Sequence, residues 1–554
     1  ENFVSCCKVV YLNIMNCNVL ITEDYQWKKI SRNKVDIFFK GCLDNSCITI
    51  LLSLPFKDDN FIQQYISTMD VNFAFVVSAE NFCIMSVDKI RSIPIIYSNI
   101  SNTLYVDCKS SRLLEFTESR EVDNNSILSI AMSGYTIGDN TFYKSIKALV
   151  AGQLVIVRNS CDIKKIQYYQ YMPELNNDSE ECLECKLEKV TLDILKKTIG
   201  SLKGRQAVIP LSAGNDSRLI ASGFKHLGYE NVKCYSYGFE NFESDTSKII
   251  ANKLGYEWKL VELNIKEEKK FYKSRDFEKY LDFSDVSVSI PVIRWLSTVR
   301  VLKESNWIDK DAIFINGNSG DFISGGHINS KIYMKENKKV STKESGVDHM
   351  LDYFFEKHYG LWGRLCNKQN KVIIKDLLLS EYKKLLKNNS GILNESAYES
   401  LEYFHRQSKY VISAQRVYEY YGYEWRLPLW DASYLEFWSK VPTGLKYKQT
   451  LYKKMLFNAN WSGVWEIPVN KSNVRPKWII PLRKIVKAFF LITGNNKSYW
   501  HRFEVSVFKY WMDNGRVTML FPYFEFLRNH DIRGVQSLIS RKYLKNKKIK
   551  NIFL

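Results

Sequence analysis

Residues 209–219 read IPLSAGNDSRL, an apolar run that breaks into Ser212, Ala213, Gly214, Asn215, Asp216 and Ser217 before turning apolar again. A strand that ends in such small residues and runs straight into a helix aims free backbone N–H groups, and the positive end of the helix dipole, at whatever lies above it. That turn suits a phosphate. The commoner phosphate motifs are missing. GxxxxGK[ST] does not occur, since the nearest match, Gly223 to Gly228, continues with Tyr229 inside the expected helix; nor does any GxGxxG open a helix.

The elements that must position this turn follow from the pattern around it. RQAVIPL (205–211) reads as a buried strand, SRLIASGFKHLG as a helix closed by Gly228, VKCYSYG as a strand, SDTSKIIANKLG as a helix stopped by Gly255, and WKLVEL as a third strand. Strand and helix alternating at this spacing predict right-handed βαβ units and a parallel sheet, with the 209–219 turn at the carboxyl end of a strand. Residues 1–157 instead alternate short apolar runs (KVDIFFKG, CITILLSL, NFAFVVS, FCIMSVD, QLVIVR) with turn residues, the pattern of an antiparallel β domain. Residues 158–185 read as a connection, 186–465 as the α/β domain with a helical later part, and 466–554 as a basic, aromatic extension.

The chain has 554 residues, 45% of them hydrophobic, enough to bury real cores. Net charge is 79 minus 60, or +19. The late Lys and Arg clusters are read as solvated faces, and no nucleic-acid partner is expected. Twelve cysteines lie scattered, and Cys182 and Cys185 form a lone CxxC with no second pair at zinc spacing, which predicts a reduced, cytoplasmic protein. No apolar run reaches the ~18–20 residues of a bilayer span, and no signal peptide is expected. WIIPLRKIVKAFFLITG (478–494) reads as a core helix, with peripheral membrane contact as the alternative.

Ser212, Gly214, Asp216 and Ser217 fit the SGGxDS loop of ATP pyrophosphatases, with Ala213 at the first glycine. INGNSGDFISGGH (315–327) resembles GEGADELFGGY of asparagine synthetases, with Gly317, Asp321, Gly325 and Gly326 in register. YEWRLPLWD (423–431) is similar to LEVRVPFLD, Lys453 to Leu456 to a later KxxL, and CYSYGFENFES (234–244) to the adenine-side strand with its following acidic residue. Motifs in this order resemble the glutamine-hydrolysing asparagine synthetase family, and most nearly its branch in surface-polysaccharide gene sets.

The resemblance implies ATP and Mg²⁺ as cofactors, an ATP-pyrophosphatase domain, and an AMP-forming amide ligase that adenylates a small-molecule carboxylate, a sugar uronic acid in that branch. Ser212, Gly214 and Ser217, with Leu211 and Gly317, would cradle the nucleotide's pyrophosphate. Asp216 and Asp321 would coordinate Mg²⁺ and act in catalysis, and Lys453 would neutralise developing charge. Ser236 and Gly238 would line the adenine pocket, Glu243 would stand near the metal, and Arg426 and Asp431 would give structural support.

NFAFVVS, VDKIRSIPIIY and TFYKSIKALVAGQLVIV resemble the family's N-terminal-nucleophile glutaminase domain, which implies a β sandwich here. An inactive scaffold is expected, because such glutaminases need a cysteine with a free α-amine and residue 1 is Glu, so that Cys6 or Cys7 would serve only after cleavage. Asn-Gly and Arg-Gly are also absent from residues 1–100. Ammonia or another amine would then come from elsewhere, such as a separate glutaminase. Asn318 stands where the family has Glu and cannot act as a general base. Asparagine synthesis proper, a lactam-forming cyclase, a tRNA-modifying enzyme and a non-catalytic relative remain open readings.

Overall fold

The computed structural model describes residues 16–117, 119–158, 163–173, 178–238, 242–336, 343–387, 394–468, 477–492, 497–512, 520–529 and 531–549. The chain forms two compact units, one of residues 1–122 and 139–170, the other of 123–138 and 171–554. Cys6 and Cys7 lie outside the described residues, as do Arg475 in the basic 466–554 extension and the side chain of Glu243.

The first unit is built on two sheets. One has the order β1 (Asn16–Val19), β7 (Thr103–Asp107), β6 (Ile96–Ile100), β8 (Lys147–Ala148); the other runs β10 (Ile163–Gln167), β9 (Gln153–Arg158), β5 (Phe82–Val87), β4 (Phe73–Ala79), β3 (Val35–Gly41), β2 (Lys28–Arg32). All pairs are antiparallel except β1 with β7. Alternation sorts the side chains. Val76, Met85 and Val155 meet Tyr97, Leu104 and Val106 of the other sheet, while Phe75, Ile84 and Ile156 face Leu51 and Ile62 of helices α1 (Asn45–Ser53) and α2 (Asp59–Thr68). The expected sandwich is therefore present, with a helical layer on one outer face. Strand β10 falls within the 158–185 stretch read as a connection.

In the second unit a five-stranded sheet has the order β13 (Glu257–Glu262), β12 (Val232–Gly238), β11 (Ala207–Pro210), β14 (Ile313–Ile315), β15 (Glu424–Arg426), with every pair parallel. This is the predicted parallel sheet. Helix α3 (Asn215–His226) follows β11 directly and buries Leu219, Ile220, Ala221 and Phe224. The long helix Glu180–Leu202 packs Leu187, Ile194 and Leu195 inward. Residues 343–465 are mostly helical, as the pattern predicts.

The helix Ile479–Ile492 departs from the core reading: Ile479 is its one buried residue, and Leu482, Ile485, Phe489, Leu491 and Ile492 are exposed. Apolar residues occur nearly all round it, so periodicity alone gave no face to prefer. Among the described residues no helix is long and apolar enough to cross a membrane.

Candidate active site

Chain order in the parallel sheet reverses at β11. From β11 the path goes outward to β12 and β13, then returns to β14 on the other side. The loops leaving β11 and β14 therefore part at a topological switch point, where open α/β sheets hold their ligands. A cavity of about 740 Å³ opens there, lined by Ser212, Gly214, Asp216 and Ser217 from one loop and Gly317 and Asp321 from the other.

The first loop is fixed from within. The Ser212 amide donates to Ser217 Oγ at 3.0 Å, the two hydroxyls lie 3.1 Å apart, and the Gly214 amide donates to Ser212 Oγ at 3.1 Å. Gly214 caps α3 with extended backbone and no side-chain acceptor, so the first-turn amides of the helix stay open toward the cavity. The second loop must come close. A Cβ on Gly317 would lie 2.9 Å from Asp216 Cβ, and one on Gly320 would lie 2.6 Å from Asp216 Cγ. Gly325, at φ +94°, lets the loop turn back under Lys446.

The two carboxylates meet where these loops touch. The Asp321 amide donates to Asp216 Oδ2 at 3.1 Å, and Tyr452 Oη donates to Asp216 Oδ1 at 3.0 Å. Burial and the neighbouring Asp321 charge push the Asp216 carboxyl up to about 7, against the opposing pull of these hydrogen bonds. Burial also raises Asp321, but His327 outweighs it and holds that carboxyl below its usual value. Two crowded oxygen donors of this kind fit a hard divalent cation, which would relieve their repulsion and take its other ligands from phosphates and water. Among the described residues no group of three or more His, Cys, Asp or Glu side chains forms a metal cluster.

Behind Asp321 stands a second layer. His327 Nε2 lies 3.1 Å from Asp321 Oδ2, and its Nδ1 meets Glu402. Glu402 is fully buried and also takes Lys357 at 3.2 Å, Arg406 at 3.3 Å and Gln407 Nε2 at 3.0 Å. Burial works against the charge on Glu402, but His358, His327 and the other donors hold its pKa well below the usual carboxylate range. Burial works against the charge on His327 too, yet Glu402 and Asp321 lift it to about 9. At neutral pH the layer is thus a cation pinned between two anions, which orients Asp321.

Of the residues singled out from sequence, Ser212, Gly214, Asp216, Ser217, Gly317 and Asp321 are brought together. Lys453 is not. It is exposed and donates to the Lys448 carbonyl at 2.8 Å, while its neighbour Tyr452 turns into the site. One residue along a helix rotates a side chain by about 100°, so a register read from sequence misplaces such a group easily. Leu211 is buried beneath the loop and Ser236 Oγ donates to its carbonyl at 2.8 Å, so these two brace the turn. Gly238 ends β12 at φ +106°, and Tyr237 rather than Ser236 or Gly238 reaches the cavity wall. Arg426 bonds Ser201 and Glu424, and Asp431 pairs with Lys197 and caps the helix Ala432–Ser439, both supporting roles. Tyr452, Glu402, Arg406 and Gln407 went unmarked in the sequence. Only His327, at the end of the GNSGDFISGGH stretch, carried a local signal.

No curated protein matches the chain. Among solved structures, glutamine phosphoribosylpyrophosphate amidotransferase from B. subtilis, complexed with ADP and GMP, is similar at 9% identity and a TM-score of 0.17. That match covers 52% of this chain and 62% of the other, less than two thirds of its length. The model of the asparagine synthase family matches residues 204–459, the span that holds β11, β14, Asp216, Asp321 and Tyr452. That part of the chain is therefore asparagine synthase-like.

Proposed function

We propose that the protein is an ATP-dependent, AMP-forming amide ligase that adenylates a carboxylate and passes the acyl group to ammonia or an amine. A carboxylate oxygen leaves poorly; attack on the α-phosphate of ATP converts it into AMP, a good leaving group, with pyrophosphate released. The observation that carries this reading is the meeting of the Ser212–Ser217 loop, with its open helix amides, and the Asp216–Asp321 pair in one cavity. Ser212, Gly214 and Ser217 would hold pyrophosphate through amides and hydroxyls, and Gly317 lets the second loop close on them. Asp216 and Asp321 would hold Mg²⁺, whose positive charge offsets that of the phosphates. His327, clamped by Glu402, would fix the Asp321 carboxylate.

The acceptor in this proposal is an anionic acid with an apolar or aromatic part, a uronic acid on a nucleotide or lipid carrier. A second cavity of about 780 Å³ shares Pro291, Ile293 and Ile539 with the first and carries Lys269, Lys273 and Lys542 beside Phe277 and Leu538. Part of its wall, residues 520–547, lies beyond the 204–459 match, which favours a substrate other than free aspartate. Asn318 leaves the amine's proton without a carboxylate base at that position, so an amine that arrives neutral fits best. The N-terminal unit serves in this reading as a scaffold, with nitrogen supplied from outside.

The test is nucleotide product analysis with ATP, Mg²⁺, ammonium and a panel of aspartate, free uronic acids and nucleotide-linked uronic acids. AMP and pyrophosphate should form with one acid and not with the others. ADP formation, or AMP formation independent of any acid, would contradict the proposal.

A further inference from the structure

The helix Ile479–Ile492 carries two adjoining apolar stripes, one covered and the other largely exposed. Ile479, Val486 and Phe490 face Trp500, Phe503 and Phe508 in a small core of their own. The other stripe, Trp478, Leu482, Ile485 and Ile492, repeats at spacings of four, three and seven residues, and of these Trp478 also sets its ring against Trp511 at 5.6 Å. Its members are 56%, 47%, 68% and 83% exposed. A single exposed leucine on a soluble protein needs no reason, but a continuous stripe of large apolar side chains marks a surface that meets another apolar phase.

The charges beside the stripe say which phase. Lys477, Lys484 and Lys487 are exposed, and among the described residues none has an acidic partner. Arg483, on the covered side, is held by Glu504. On a helical wheel Lys484 and, two turns before it, Lys477 lie on the side next to Ile492, along one edge of the apolar stripe, while Lys487 lies on the opposite face. Long lysine side chains flanking bulky apolar ones are the arrangement of a helix that lies in a bilayer's headgroup region, apolar face down and ammonium groups at the phosphates. With 14 residues the helix is about 21 Å long, too short to cross a hydrocarbon core of about 30 Å. A chain with net charge +19 is drawn to an anionic surface as a whole.

We infer that the exposed face of the Ile479–Ile492 helix docks the protein on an anionic lipid surface. The docking does not depend on the ligase reading, and it would bring the second unit to where a lipid-borne acceptor resides.

The experiment is co-sedimentation of the full chain with vesicles of phosphatidylcholine alone and of phosphatidylcholine with about one-quarter phosphatidylglycerol. Binding should be about tenfold or more tighter to the anionic vesicles and should weaken with salt. The double variant Leu482→Asp/Ile485→Asp, both positions at the surface, should lose vesicle binding by a similar factor while its melting curve and its binding of a non-hydrolysable ATP analogue stay unchanged. Lys477→Glu/Lys484→Glu should remove the preference for phosphatidylglycerol. No sedimentation with either vesicle would overturn the inference, and so would binding that the double variant leaves intact. A concentration-dependent dimer that ignores vesicles and that Leu482→Asp/Ile485→Asp disperses would assign the face to a second copy instead.

Discussion

Asp216 is the residue on which stability and chemistry pull apart. Its carboxyl lies at about 7, above the ordinary 3.8, so it lowers stability progressively as pH rises from about 4 to about 7, and the full cost is present above that. Asp216→Asn should therefore be more stable than the parent at pH 8, by about 1–2 kcal/mol once solvent reaching the cavity is allowed for. The same variant should lose at least about a hundredfold in AMP formation, a loss of the order seen when a preorganised electrostatic group is removed. Thermal melts without nucleotide and product assays with it would check the two halves; a stable variant with unchanged turnover would remove Asp216 from the site. Glu402 behaves oppositely. It is fully buried among His327, Lys357 and Arg406, so Glu402→Ala leaves buried positive charge uncompensated and should cost about 3–5 kcal/mol, measured by denaturant melts. The loop residues were legible in sequence because backbone that approaches phosphate demands small side chains at consecutive positions. Tyr452 and Glu402 were not, since they reach the site from helices 236 and 75 residues away from Asp216 and His327 and share no local pattern with them.

Among the elements, the contact of the β14 loop with the start of α3 sets the geometry. Gly320 has room for no side chain there: a Cβ would sit 2.5 Å from Leu429 Cδ1 and 2.6 Å from Asp216 Cγ. Gly320→Ala should push the two loops apart and lower turnover by about a hundredfold through misplacement, with only a modest drop in melting temperature. A turnover near the parent's would mean the loops do not need to touch. The βαβ order was legible because β11, β12 and β13 follow one another with short helices between them. The placement of β14 and β15 on the far side of β11 was not, because short strands of three residues after long helical stretches leave no periodic trace. The Ile479–Ile492 helix was misread as core for a different reason: two apolar stripes look the same in sequence, and only the fold decides which one is covered.

At the scale of the molecule, two histidines of the second unit give its stability opposite pH dependences. Burial pushes His358 down to about 4, so the unfolded chain binds a proton there from about pH 6.5 downward while the folded unit resists until about 4. Stability from this group is present above about 6.5 and falls with pH through that window, by up to about 3 kcal/mol. His327, lifted to about 9, contributes the reverse: its stabilisation is complete below about 6.5 and is lost as pH rises through 9. Between about pH 4 and 6.5 the His358 loss runs against the stability regained as Asp216 takes up its proton, so the telling comparison is the variant: His358→Gln should gain melting temperature over the parent at pH 5 and not at pH 8. An unchanged acid slope would place the acid sensitivity elsewhere. The parallel sheet was readable from composition and period, whereas the placement of residues 123–138 with the second unit rather than within a 1–157 domain was not, nor was the second cavity, which forms only when residues 269–293 and 520–547 come together. The measurement that tests the ligase proposal most directly gives the protein ATP, Mg²⁺, ammonium and carboxylate acceptors labelled with ¹⁸O, and weighs the nucleotide products. Pyrophosphate and AMP carrying one ¹⁸O should form, because the oxygen that attacks the α-phosphate stays with it when the amide forms. ADP with the label in phosphate, or no acid-dependent cleavage of ATP, would contradict it.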